Sequence, residues 1–145
     1  MADRELEDCF LLRGLNDAEV EKLLSIAKER TYSKGDVLVK QGEAASQLFV
    51  ILQGMVSVKT KYGDKVLDIV ELGPGQLVGE MALVENGVHS ATVEVVETPT
   101  KALVFDVDKF LALCEAEPRM GYWLMRNIAS DIAFKIYHNN LKMLL

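Results

Sequence analysis

The stretch Gly79-Glu80-Met81-Ala82-Leu83 is the part of this sequence best suited to chemistry. Glycine lets the backbone approach a ligand closely, because no Cβ intervenes. The N–H groups that follow it point outward from the start of a helical turn, where an anion is favoured. Glu80 looks out of place beside an anion. A carboxylate, however, is a strong acceptor for a ribose hydroxyl. Phosphate and sugar hydroxyl together describe a nucleotide. The alternative is local: Glu80 caps the start of its own turn. These residues alone leave both readings open.

The surrounding elements must hold that turn in place. Thr31 to Asp106 reads as strands, with apolar runs at Val37–Val39, Leu48–Leu52, Met55–Val58, Val66–Val70, Val93–Val96 and Leu103–Phe105. Turn residues separate them: Lys34-Gly35-Asp36, Gln41-Gly42-Glu43, Gln53-Gly54, Gly63-Asp64 and Gly73-Pro74-Gly75. Short strands at this spacing predict an antiparallel barrel or roll. The run Glu80 to Val84 has helical composition inside this strand region. Helices flank it. Leu6, Phe10 and Leu11 suggest a short helix ended by Gly14. Asp17, with Asn16 as the competing cap, starts another that carries Val20, Leu23, Leu24 and Ala27. Asp108 is positioned to cap a helix with Phe110, Leu111 and Leu113, and Pro118 suits the start of a last one. That helix carries the stripe Met125, Ile128, Ala129, Ile132, Ala133, Ile136 and Tyr137. At ~25 residues it would reach roughly 38 Å. The expected organisation is one domain over 1–145: N-terminal helices over 1–30, a roll over 31–106, and C-terminal helices over 108–145.

Bulk properties exclude several function classes. The 145 residues carry a net charge of −6. That weighs against nucleic-acid binding, which draws on Lys and Arg, though not against a small anionic ligand. Two cysteines, Cys9 and Cys114, form no metal-spaced pair and predict reduced thiols and no metal site. No apolar run approaches the ~20 residues of a membrane span, and the charged start lacks a signal-peptide core. A cytoplasmic protein with no membrane partner is expected. With only His89 and His138, and no G-x-S-x-G, H-E-x-x-H or P-loop pattern, no catalytic machinery is expected. The acidic pairs Glu5/Asp8 and Glu115/Glu117 read as solvated helix faces.

The stretch Gly79-Glu80-Met81-Ala82-Leu83-Val84 followed by His89-Ser90-Ala91-Thr92-Val93 resembles the phosphate-binding cassette of the cyclic-nucleotide-binding domain family. Lys34-Gly35-Asp36-Val37-Leu38 with Gln41-Gly42-Glu43 resembles that family's first glycine turns. Leu48 to Val56 resembles its central hairpin. The resemblance covers roughly residues 8 to 140. It implies a mainly β fold: an eight-stranded antiparallel β-roll (a jelly-roll-like double-stranded β-helix, as in catabolite activators) with flanking helices. It further implies a cyclic nucleotide, cAMP or cGMP, as ligand, and no separate cofactor. Glu80 would accept the ribose 2′-hydroxyl. The N–H groups of Gly79, Met81 and Ala82 would approach ligand oxygens, Ser90 would place a hydroxyl on the cyclic phosphate, and Ala91 would offer an N–H nearby.

His89 departs from the family pattern, standing where the resemblance expects an arginine. Arginine offers a permanently charged planar fork to phosphate. Histidine has a reference pKa near 6.5 and is charged only part of the time at pH 7. His89 is therefore a weakened phosphate ligand, the mark of a pocket that has lost cyclic nucleotides, or a pH-responsive donor. Lys40, Lys59, Lys61 and Lys65 are substitutes only if the fold brings them close.

The resemblance also implies that the last helix covers the base and pairs with its twin in a homodimer. The seam Met125, Ile128, Ile132 and Ile136 suits such a pair, or packing on its own roll. Lys135, Asn139 and Asn140 are expected to be solvated, with a base edge as the second reading. The chain ends at Leu145 without room for a helix-turn-helix, so a stand-alone sensor or an excised one is expected. The apolar end Met143-Leu144-Leu145 suggests burial against a partner, or truncation.

Overall fold

The computed structural model describes residue 6 and residues 9–144, with the side chains of 67–69 and 138–144 excepted. Eight strands form two four-stranded antiparallel sheets: β1 (Ala27–Tyr32), β8 (Thr100–Asp106), β3 (Gln47–Gln53) and β6 (Leu77–Val78) in one, and β2 (Val37–Val39), β7 (Thr92–Val95), β4 (Val56–Tyr62) and β5 (Lys65–Leu72) in the other. This is the expected β-roll. Its first sheet lies between the second sheet and the helices, so β3 and β8 are buried on both faces, while the edge strand β1 is largely exposed. Side chains alternate across a strand. Leu48, Val50 and Leu52 of β3 accordingly join Leu103 and Phe105 under the helices, while Phe49 and Ile51 join Val93, Val95 and Val104 inside the roll. That double burial is why β3 reads as an unbroken apolar run.

The N-terminal part is a 3-10 turn, Phe10–Leu12, followed by α1 (Asp17–Ser25). Asn16, not Asp17, is the cap. Its side chain accepts from the Glu19 N–H at 2.9 Å and its own N–H donates back to Glu19 at 2.9 Å. Such a reciprocal box needs an acid three residues on, which Asn16 has and Asp17, facing Val20, lacks. The roll begins at Ala27, four residues before the expected Thr31. Ala27 extends the helical stripe on paper, but it pairs with Phe105 across β1 and β8.

Two helices close the chain: α2 (Val107–Ala116) and α3 (Pro118–Leu144). Asp106 caps α2 by accepting from the Asp108 and Lys109 N–H groups at 2.9 and 3.1 Å. The expected cap, Asp108, is already inside the helix. Pro118 does open α3, which runs for 27 residues. Met120, Leu124 and Ile128 sink into the core under the first sheet. Asn127 donates to the Leu11 and Arg13 carbonyls, at 2.9 Å each. Trp123 covers Gly14, where a Cβ would fall 2.3 Å from the indole. The expected interhelical seam is therefore divided. Ile128 belongs to the chain's own core, Met125 and Ile132 pack at its edge, and Ile136 is exposed. Among the described residues no helix is long and apolar enough to cross a membrane. The pair Glu5/Asp8 and the side chains of Met143, Leu144 and Leu145 lie outside the described ones.

Candidate functional site

The segment from Gly79 to Val93 leaves the first sheet after β6 and enters the second at β7. Gly79 has φ +89°, a left-handed conformation that favours glycine. A Cβ there would also lie 2.7 Å from the Gln47 carbonyl oxygen, so no side chain fits. The chain then makes the expected helical turn, a 3-10 turn at Glu80–Leu83. The N–H groups of Glu80 and Met81 precede its first closed ring and have no partner within it. Ala82 differs from expectation. Its N–H donates to the Gly79 carbonyl at 3.0 Å, and its side chain is buried in the helix-side core. The turn uses that donor, so Ala82 holds the loop and does not line the cavity described below.

His89 is fixed through its backbone. Its N–H donates to the Glu43 carbonyl and its carbonyl accepts from the Gly42 N–H, both at 2.9 Å. The Gln41-Gly42-Glu43 turn thus positions the cassette. The His89 side chain is buried, with 8% of the residue exposed. Burial holds its imidazole below the usual histidine value, against the opposing pull of the Glu43 and Glu80 carboxylates. A group displaced downward from 6.5 is predominantly neutral at pH 7.

Gly79, Glu80, Met81, His89, Ser90 and Ala91 line one cavity of about 170 Å³. The fold thus brings together six of the seven expected site residues. Val39, Val58, Val70, Leu72 and Val93 make its apolar floor, and Thr60 lies beside Ser90, its hydroxyl donating to the Ser90 carbonyl at 3.4 Å. The volume falls below the ~300 Å³ at which small-molecule sites usually begin.

Leu77 and Val78 of β6 and Lys135 of α3 complete the lining. Lys135 was expected in solvent, yet its side chain is only 20% exposed. Nζ donates to the Leu77 carbonyl at 2.6 Å and to Glu80 Oε1, and it lies 2.8 Å from Asp131 Oδ2. That Asp131 oxygen is buried, and the Lys135 ammonium is the cation that faces it. Burial pushes the Asp131 carboxyl up to about 6 against the attraction of Lys135, and neighbouring Glu80 adds to the rise. Sequence reasoning missed Asp131 and the place of Lys135. The only available signal was their i, i+4 spacing. None of Lys40, Lys59, Lys61 and Lys65 lines this cavity. Lys40 borders an adjoining one that shares His89. The side chains of Asn139 and Asn140 lie outside the described ones. Among the described residues no group of three His, Cys, Asp or Glu side chains could hold a metal ion, and both cysteines are free thiols.

The comparisons with known proteins agree with this geometry. The profile of the cyclic nucleotide-binding domain matches residues 29–117. The cyclic AMP receptor protein of Thermus thermophilus is 31% identical over 134 residues, covering 92% of this chain and 60% of the relative. The cAMP-dependent protein kinase type II regulatory subunit of Drosophila melanogaster is 32% identical over 110 residues, covering 76% and 29%. A glutaminase of Bradyrhizobium diazoefficiens is 32% identical over 133 residues, which are 92% of this chain but only 20% of that enzyme. The chain thus spans between one fifth and three fifths of the length of these relatives. Among solved structures, a cyclic nucleotide-binding domain from Methylobacillus flagellatus superposes with a TM-score of 0.88 at 22% identity, covering 99% of this chain and 84% of that one. The Thermus thermophilus catabolite activator protein does so with a TM-score of 0.77 at 30% identity, covering 92% and 61%. With the roll, the glycine-led turn and the matched profile in agreement, this chain belongs to the cyclic nucleotide-binding domain family.

Proposed function

We propose that this chain is a regulatory module, not a catalyst, that binds a cyclic nucleotide under α3 and couples occupancy to the position of that helix. The observation that carries the reading is the Lys135–Glu80 contact, which ties α3 directly to the proposed ribose acceptor. Glu80 accepts the ribose 2′-hydroxyl. The Met81 N–H, the Ser90 hydroxyl and the Ala91 N–H serve the cyclic phosphate, with Gly79 providing the close approach. The apolar floor takes the base. The cavity is small for a nucleotide, so α3 opens to admit one and docks again over it. A ligand can drive that shift only through different affinities for the two helix positions. The relatives named for cAMP make that nucleotide the first to test, with cGMP beside it. Pairing of α3 with a second copy is the accompanying proposal, and it would use the helix's outer face at Ile136.

Thermal unfolding with cAMP, cGMP and 5′-AMP tests the reading. A cyclic nucleotide is expected to stabilise the fold as RT ln(1 + [L]/Kd), about 2.7 kcal/mol at 100 times Kd, with no matching effect of 5′-AMP. Absence of any shift at millimolar cAMP and cGMP overturns it. The neutral, buried His89 favours a second reading for that outcome: a roll that no longer takes cyclic nucleotides and serves protein interaction.

A further inference from the structure

A cyclic phosphate carries a negative charge, and the roll wall of the cavity offers no cation to meet it. Its ionisable residues are Glu80, which repels an anion, and His89, whose imidazole is buried. Removing the charged partner of a buried anion typically costs 30-fold or more in affinity. Among the described residues the cavity nevertheless contains one ammonium, that of Lys135. Its position does not follow from helix packing alone. It lies 55 residues from Glu80 and 58 from Leu77 in sequence, and both partners belong to the roll. Two of its partners, Leu77 and Glu80, line the cavity, and the third, Asp131, stands one turn before Lys135 on α3. An ammonium has three hydrogens on a flexible four-carbon stem. It can turn one from Asp131 to a ligand oxygen without leaving Glu80.

We infer that Lys135 supplies the positive charge by which this pocket holds an anionic ligand, in place of a cation from the roll. The inference rests on the cyclic-nucleotide reading and deepens it. The counter-charge rides on α3, so the pocket is complete for an anion only while α3 is docked. Ligand and helix then stabilise each other through one side chain. Asp131 is a positioning residue that competes with the ligand for the ammonium.

The test is calorimetric titration of cAMP and cGMP into the whole chain and its variants, with circular dichroism as the folding control. Lys135→Met is expected to weaken binding at least ~30-fold. In a His89→Arg background, where the roll has its own cation, the same substitution is expected to cost less than about 5-fold. A merely structural lysine would cost the same in both backgrounds, and that result overturns the inference. So does a Lys135→Met protein that binds as well as the parent, or better. Asp131→Asn keeps the shape and frees the ammonium, so it is expected to tighten binding several-fold. Weaker binding there counts against the inference even if Lys135→Met fails to fold. A parent chain that binds neither nucleotide overturns the functional reading and this inference together. A parent that binds, with Lys135→Met unaffected, overturns the inference alone.

Discussion

The two walls of the cavity are built differently. The roll wall is set by backbone: a left-handed glycine seated on the Gln47 carbonyl, a 3-10 turn closed by the Ala82 N–H, and a histidine held at both backbone polar groups by the Gly42 turn. The α3 wall is set by side chains. Met120, Leu124 and Ile128 anchor the helix, and Lys135 extends from it to the roll. Backbone geometry depends on a few glycines and survives changes around it. A charge depends on one side chain, and in this chain the charge lies on the helix and not in the turn.

The strongest way to break this division is to loosen the anchor of α3. Leu124→Ala leaves a cavity between helix and sheet and is expected to cost about 2–5 kcal/mol of stability, read as a lower urea midpoint. The next prediction puts a fixed charge back on the roll. His89→Arg is expected to raise cyclic-nucleotide affinity at least ~30-fold in calorimetry. No gain in a folded variant, in the parent or in the Lys135→Met background, would remove the phosphate assignment from the turn. Gly79→Ala tests the backbone wall. It forces an L-residue into a left-handed conformation and against a carbonyl, and is expected to cost about 1–3 kcal/mol in thermal unfolding. Asn16→Ala removes the box around Glu19, which also binds Arg119 at the root of α3. About 1 kcal/mol of stability is expected to go with it.

The smallest effect is pH dependence. Asp131 titrates near 6 in the folded chain, above the ordinary ~3.9 of an unfolded aspartate. Between those values the folded state binds the extra proton, so stability falls as pH rises through this window. The slope is expected in denaturation curves measured from pH 4 to 7, and Asp131→Asn is expected to flatten it.

Much of this was readable along the chain. Apolar runs bounded by glycine turns located the strands, and Gly79 followed by a helical run marked the turn that lines the cavity. The misreadings have a common form. Asp17 and Asp108 look like caps, but Asn16 and Asp106 do the capping, because a cap is defined by which N–H groups its oxygen reaches. Ala27 continues a helical period, yet it pairs with Phe105, a residue far along the chain. Ala82 lies beside the ligand positions in sequence but points into the core.

Local order therefore determined the roll, the turn and the long helix, since strand alternation, positive φ at glycine and proline at a helix start act over a few residues. It placed six cavity residues correctly because they share one short segment. Only the tertiary structure decided the electrostatics. It buried His89, which disfavours protonation of the ring, split the α3 stripe between core and surface, and carried Lys135 across 55 residues of chain to Glu80. Desolvation and ion pairing depend on what lies across space from a group, and local periodicity does not contain that information.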